Sequence, residues 1–258
     1  MNRIKPKFEL DGQVAIVTGS SKGIGESIAR GLAEHGASVI ISSRKQEAVD
    51  AVVEQFKTDG LEATGIACHV GDPEQRNQLI SWTLEEYGRI DILVNNAAIN
   101  PYYGPLEGSD EGVFDKIMNV NVKAPFLLSN LALPHMKKQG GGSIINIASV
   151  EGLLPGFGLG LYSVTKSGLI MLTKNQAKEW GKYGIRSNVI CPGLIKTKFS
   201  QALWSNDELL ENYSRAVPLG RMAGPDEMAG LAVLLASDAG SYITGGVYVA
   251  DGGYLIAG

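Results

Sequence analysis

Seven short apolar runs, separated by longer stretches with helical spacing, constrain this chain more than any other feature. They are Val14 to Val17, Val39 to Ile41, Thr64 to Cys68, Ile90 to Val94, Ser143 to Ile147, Ile185 to Cys191 and Val247 to Ala250. Most are apolar without alternation, as strands covered on both faces are. Between them lie helix-compatible stretches at about 24–35, 46–58, 73–87, 110–138, 162–183 and 225–236, the fourth of which must bend near Pro125 and Pro134. Strand and helix in strict turn give βαβ units, whose crossovers are right-handed. The expectation is an α/β fold: one doubly wound parallel sheet with helices on both faces, in a single domain over residues 1–258. No linker, repeat or low-complexity segment interrupts it. The less regular amphipathic stretch at about 197–215 predicts a lid.

Directly after the first run stands Thr18-Gly19-Ser20-Ser21-Lys22-Gly23-Ile24-Gly25, opening a helix. Glycines at such a turn let backbone N–H groups approach a pyrophosphate, which the positive end of the helix stabilises. Strand before and helix after is the context that the Rossmann dinucleotide fingerprint demands. A binder of NAD usually ends its second strand on an Asp or Glu that holds the ribose hydroxyls. This chain has Ser42-Ser43-Arg44-Lys45 there. Arg44 can pair with a 2′-phosphate, and Lys22 adds a second positive charge, so NADP(H) is expected over NAD(H). A solvated helix start is the competing reading of Arg44 and Lys45.

Tyr162-Ser-Val-Thr-Lys166 opens the fifth helical stretch. Four residues apart on a helix, a phenol and an ammonium share one face. A unit charge ~4 Å away at an effective dielectric of ~20 contributes ~4 kcal/mol. That would bring a phenol from ~10 to ~7, where a general acid works best. Alone, the spacing also suits an ordinary amphipathic helix start.

Taken in order, Thr18-Gly-x-x-x-Gly23-Ile-Gly25, Asn95-Asn-Ala-Ala98, Asn121, Ser149, Tyr162-x-x-x-Lys166, Pro192-Gly193 and Asp251-Gly-Gly253 resemble the short-chain dehydrogenase/reductase family over nearly the whole chain. The resemblance implies that Tyr162 protonates the carbonyl oxygen as hydride arrives and that Ser149 hydrogen-bonds the same oxygen. It implies that Lys166 holds the nicotinamide ribose and lowers the phenol pKa, and that Asn121 anchors a water leading from Lys166 to solvent; Asn119 is the alternative by composition. It assigns the cofactor to Gly19, Ser21, Lys22, Gly23, Ile24, Gly25, Ser43, Arg44, Val70, Asn95, Ala97, Tyr162, Lys166, Pro192, Gly193, Ile195 and Thr197. Within that set, Asn95 braces the sheet, and Ile195 and Thr197 orient the carboxamide. Two positions depart from the family pattern: Ala98 replaces a usual glycine, and His69 stands where many relatives have an Asp facing the adenine. Three residues between Tyr162 and Lys166 argue against the enoyl reductases, which place the lysine further on.

Ser42 to Gln46, Cys68-His-Val70, Asn100-Pro101, Asn121 to Pro125, Gly193 to Thr197 and Ser241 to Gly245 resemble, more narrowly, the NADPH-dependent carbonyl reductases of the retinal-reductase type. The substrate is then a ketone or aldehyde framed by Tyr102, Tyr103, Val150, Leu153, Leu154, Phe157, Leu194, Phe199, Leu203 and Trp204. The eukaryotic relatives carry a peroxisomal C-terminal tripeptide; here the chain ends Ile256-Ala-Gly258, and a cytoplasmic location is expected. Relatives are commonly homotetramers, and the Tyr254-Leu-Ile256 tail fits burial against a neighbour. A net charge of −4 without a basic stripe argues against nucleic acid, and no apolar run reaches the length of a membrane span. Cys68 and Cys191 read as reduced core thiols, and His35, His69 and His135 show no metal-ligand spacing. Two other functions stay open: an NAD-dependent alcohol or sugar dehydrogenase, and a dinucleotide-binding regulator without turnover. Intact Ser149, Tyr162 and Lys166 count against the second.

Overall fold

A computed structural model describes residues 3–205 and 207–257, without the side chains of 202, 203, 207–209 and 212. Seven strands form one parallel sheet in the order β3-β2-β1-β4-β5-β6-β7: β1 (Val14–Thr18), β2 (Ser38–Ser43), β3 (Ala63–Ala67), β4 (Ile92–Asn95), β5 (Gly142–Ile147), β6 (Ile185–Pro192) and β7 (Val247–Ala250). The order reverses between β1 and β4, and a doubly wound sheet opens a crevice at that point, beyond the carboxyl ends of its strands. The helices are α1 (Gly23–Glu34), α2 (Gln46–Thr58), α3 (Pro73–Tyr87), α4 (Glu111–Met118), α5 (Ala124–Gln139), α6 (Gly160–Trp180), α7 (Gln201–Trp204), α8 (Asp207–Ala216) and α9 (Ala229–Ala236).

Successive strand residues point to opposite faces, so an apolar run supplies two cores at once. Ala15 and Val17 of β1 pack with Ile28 and Leu32 of α1, Val49 and Phe56 of α2 and Val233 of α9. Val14 and Ile16 pack on the other side with Leu79 of α3 and Leu128 and Met136 of α5. The absence of alternation in the sequence follows from this two-sided burial.

Polar side chains also sit inside the sheet. Asn95 of β4 donates to Asn146 of β5 (2.9 Å) and to Ser129 of α5 (3.3 Å). Asn146 donates to Thr173 (2.9 Å) and Gln176 (3.3 Å) of α6, and Ser187 of β6 donates to Gln176 (2.9 Å). All six residues are buried. Asn95 and Asn146 are register partners across β4 and β5. These bonds tie β4 to β5 and to α5.

The bend expected within 110–138 has another form. Between α4 and α5 the chain makes a π turn over Asn119–Lys123, closed by the Ala124 N–H donating to Asn119 O. Pro125 falls in the first turn of α5, where its missing N–H is harmless, and Pro134 is carried inside that helix. Such wide turns are frequent at functional sites because they push one residue out of the helical ladder; this one carries Asn121.

Candidate active site

The turn after β1 is held by the loop after β4. Thr18 Oγ1 accepts from the N–H groups of Asn96 (3.0 Å) and Ala97 (3.1 Å), and Asn96 Nδ2 donates to the carbonyls of Thr18 (2.9 Å) and Gly19 (3.1 Å). At Gly19 the backbone has φ 65° and a Cβ would lie 2.9 Å from Ala97 Cα; at Gly25 it would lie 2.5 Å from the Gly19 carbonyl oxygen. Both glycines are thus required by close approach of backbone. Ser20 is buried and tied to the end of β2, its hydroxyl accepting from Ser42 N–H (2.9 Å), which leaves Ser21 and Lys22 to face outward. No side chain caps the start of α1, so its first N–H groups remain available to an anion. Arg44 and Lys22 are exposed and form no ion pair among the described residues.

This cradle has the open backbone donors to fit the pyrophosphate of a dinucleotide. Gly23, with φ 62°, lies against Thr197, whose Cγ2 would be 3.2 Å from a Cβ there; the stretch after β6 therefore meets the glycine turn. Ile195 is buried in the α1 core and bridges to Ala223, while Pro192 and Gly193 end β6, the latter bonded to Ala250 O (3.0 Å). Val70 is packed into the core beside α3, and its carbonyl accepts from Arg76 (2.6 Å). His69 uses Nδ1 to accept from Gly71 N–H (3.1 Å).

Ser149, Tyr162 and Lys166 come together past the end of β5. Ser149 has an extended backbone and its hydroxyl accepts from the Glu151 N–H (3.1 Å). Ser149 lies near enough to the Tyr162 phenol to lower its proton affinity. Lys166 is 2% exposed; its Nζ donates to Ile147 O (2.8 Å) and stands 5.4 Å from the Tyr162 ring centroid. Asn121 is 1% exposed, with Oδ1 accepting from Ile99 N–H (2.9 Å) and Nδ2 donating to Ile99 O (2.9 Å) and Thr165 Oγ1 (3.1 Å). Asn119, the alternative, donates instead to Gly71 O (3.1 Å), away from Lys166.

The proton affinities differ from the expected pattern. Burial pushes the Tyr162 phenol above its ordinary range, Ser149 pulls it down, and the charges of Glu151 and Cys191 push it up again. Burial brings the Lys166 ammonium down to about 8, with Cys191 opposing. The sequence argument set one charge beside one phenol in a uniform medium; here the phenol and the ammonium both leave water, and desolvation outweighs their mutual effect. A phenol so placed keeps its proton at neutral pH, which suits a general acid.

Of the residues expected to frame the substrate, Leu153, Leu154, Phe157, Tyr103 and Phe199 are exposed, and the Phe199 and Tyr162 ring centroids lie 6.1 Å apart. Leu194 is partly exposed, and its N–H donates to the Tyr213 hydroxyl (2.9 Å). Val150 is buried. Tyr102 turns onto its own loop, its hydroxyl donating to Pro105 O (3.0 Å) where Gly104 and Gly108 leave it room. Trp204 donates to Thr197 O (2.8 Å), bracing the stretch after β6. The Leu203 side chain is outside the described residues. Thr18, Asn96 and Thr165, which hold Gly19 and Asn121 in place, escaped the sequence reading because their partners lie 44 to 79 residues away. Both cysteines are free and buried, and no cluster of metal-ligating side chains occurs among the described residues.

A family model described as "Enoyl-(Acyl carrier protein) reductase" matches residues 19–255. Dehydrogenase/reductase SDR family member 4 of Oryctolagus cuniculus is 48% identical over 244 residues, covering 95% of this chain and 94% of the relative. The Homo sapiens protein of that name is 43% identical over 244 residues, covering 95% and 88%. The crystal structure of a gluconate 5-dehydrogenase from Burkholderia cenocepacia J2315, in complex with NADP and tartrate, superposes with a TM-score of 0.95 at 34% identity, covering 99% of this chain and 100% of that one.

Proposed function

The chain belongs to the short-chain dehydrogenase/reductase family, and from that premise we propose that it reduces a ketone or aldehyde to the alcohol with NADPH, Tyr162 delivering the proton. It is an oxidoreductase that uses a nicotinamide dinucleotide. The observation carrying the finer reading is the convergence of the Ser149 hydroxyl, the Tyr162 phenol and the Lys166 ammonium past the carboxyl end of β5.

The turn Gly19–Gly25 and the free N-terminus of α1 would hold the pyrophosphate, Arg44 and Lys22 the 2′-phosphate, and Lys166 the nicotinamide ribose. Bound there, the nicotinamide supplies the hydride. Ser149 and Tyr162 donate hydrogen bonds to the substrate oxygen as negative charge develops on it. Tyr162 then gives up its proton, and Asn121, fixed by Ile99 and Thr165, orders the route of reprotonation near Lys166. The segment 197–215 acts as lid, with Phe199 over the phenol. Exposed Leu153, Leu154 and Phe157 favour a substrate with an apolar body. Three residues between Tyr162 and Lys166 keep enoyl reduction out of this reading.

Coenzyme choice is tested at Arg44. Purified protein is expected to show a higher kcat/KM with NADPH than with NADH. Arg44→Ala should raise the KM for NADPH roughly 10- to 100-fold, the loss of charge-assisted bonds worth about 1.5–3 kcal/mol, while leaving NADH unaffected. Preference of the unaltered protein for NADH would instead favour the NAD-dependent dehydrogenase reading.

We also propose a homotetramer in the cytoplasm. Phe114 of α4, Phe126 of α5 and Val164 and Met171 of α6 are exposed, as are Val249 of β7 and Ile256 beyond it, apolar faces that a second copy would cover. Light scattering should return four chains, and Met171→Glu should lower that number; a monomer at micromolar concentration in the unaltered protein would refute the assembly. No helix among the described residues is long and apolar enough to cross a membrane.

A further inference from the structure

The tie between the rim of the crevice and the proton donor runs through one carboxylate. Glu151 lies two residues beyond Ser149 and its own N–H donates to the Ser149 hydroxyl (3.1 Å). Its side chain accepts from the hydroxyl of Ser163 (3.3 Å), the neighbour of Tyr162 on α6, and lies against Gly156. At Gly156 a Cβ would stand 2.3 Å from Glu151 Oε2 and 2.7 Å from Oε1. A larger residue there would force the carboxylate or the loop to shift. That loop carries Leu153, Leu154 and Phe157, exposed apolar residues expected to frame the substrate. Its far end is fixed separately, by Gly104 N–H donating to Gly158 O (3.0 Å) and by Tyr103 packed on Gly158.

Building on the carbonyl-reductase reading, we propose that Glu151 is a positioning residue: it fixes the substrate loop 153–159 and the Ser149 hydroxyl to the start of α6. Its negative charge also favours the protonated Tyr162 phenol. The groups facing the phenol are Ser149 at the end of β5, Glu151, Cys191 of β6, and Lys166 one turn along α6. Of these, Glu151 bears the negative charge that a neutral isostere removes while a hydrogen-bond acceptor stays in place. Burial raises the Glu151 carboxyl, and Gly156 and Ser163 oppose that rise.

Two variants separate anchoring from charge. Glu151→Ala removes the Ser163 bond and the contact with Gly156, and should raise the KM of a bulky aromatic ketone about tenfold, the size of one lost charge-assisted hydrogen bond, with a smaller change in kcat. Glu151→Gln keeps an acceptor for Ser163 and should hold KM within about twofold, yet move the alkaline limb of the kcat/KM profile for reduction by about half a unit or more to lower pH, because removing a negative charge makes the phenol more acidic. Hydrogen exchange read on peptides covering 153–159 gives a measure independent of turnover: exchange should quicken at least tenfold in Glu151→Ala and little in Glu151→Gln, with α9 unchanged in both. Unaltered exchange over 153–159 in Glu151→Ala overturns the anchoring. An unmoved alkaline limb in Glu151→Gln overturns the role of the charge. Failure of the unaltered protein to reduce any carbonyl with either coenzyme would strike the carbonyl-reductase reading, while the exchange experiment would still decide whether Glu151 holds the loop.

Discussion

Replacing Tyr162 by Phe is expected to lower kcat for carbonyl reduction by about 10³-fold, within the range that a positioned general acid contributes, while NADPH still binds with an affinity within about twofold of the unaltered protein. On the proposed reading the phenol meets the substrate oxygen, while the pyrophosphate cradle lies on the turn after β1, so chemistry and most of cofactor binding should separate. Fluorescence titration with NADPH and stopped-flow turnover check the two halves. Substantial residual turnover would mean that another group supplies the proton. The same side chain sets a pH signature. Because burial raises the phenol, reduction, which needs it protonated, should be flat from pH 6 to about 8, and oxidation of the alcohol, which needs it ionised, should climb across that range.

Lys166→Met is expected to cut turnover about 100-fold and at the same time to stabilise the fold. The ammonium is buried and its pKa falls from 10.5 to about 8; a difference of that size corresponds to a burial cost on the order of 3 kcal/mol at neutral pH. Methionine has a similar length and no charge. Against the gain stands the Ile147 carbonyl, which loses its donor at a cost of about 1–2 kcal/mol. The net gain of about 1–2 kcal/mol should raise Tm by several degrees, at roughly 2–4 °C per kcal/mol in a domain of this size. The sign of the pH dependence follows from proton binding. Between about pH 8 and 10.5 the unfolded chain holds the Lys166 proton and the folded one has released it, so this residue makes stability rise with pH across that window. The variant should lose that slope. Calorimetry at pH 7 and pH 9.5 on both proteins checks it; a variant less stable at pH 7 than the unaltered protein would contradict the cost assigned to the buried charge.

Periodicity and local turn chemistry carry much of this structure openly. The seven strands, the glycine turn and the helix bearing Tyr162 and Lys166 are written in short-range patterns, since a strand covered on both faces is continuously apolar and a tight βα turn needs glycine. Features decided by distant partners are not written that way. The π turn at Asn119–Lys123 has the composition of any helix; its extra residue is selected by the hydrogen bonds of Asn121 to Ile99 and Thr165. Tyr102 looks like a substrate aromatic until Gly104 and Gly108 let its hydroxyl fold back to Pro105. The direction of the Tyr162 shift could not be read from a Tyr-Lys spacing, because it depends on how far burial removes both groups from water. Glu151 carried no signal either: its meaning comes from Gly156 and Ser163, which only the folded loop brings to it.

The paired amides of Asn95 and Asn146 have a bearing on chemistry three residues downstream. Strands that are greasy on both sides can slip by two residues and still present grease to either core, so nothing in their apolar side chains forbids a misaligned sheet. Amides facing each other across β4 and β5 do forbid it, since a slip would strand them without partners in a dry interior. Ser149 follows Asn146 by three residues, so whatever pegs the amide also decides where that hydroxyl emerges relative to the Tyr162 helix. In this molecule the alignment of a reaction is guarded from deep inside, by side chains that never meet a substrate.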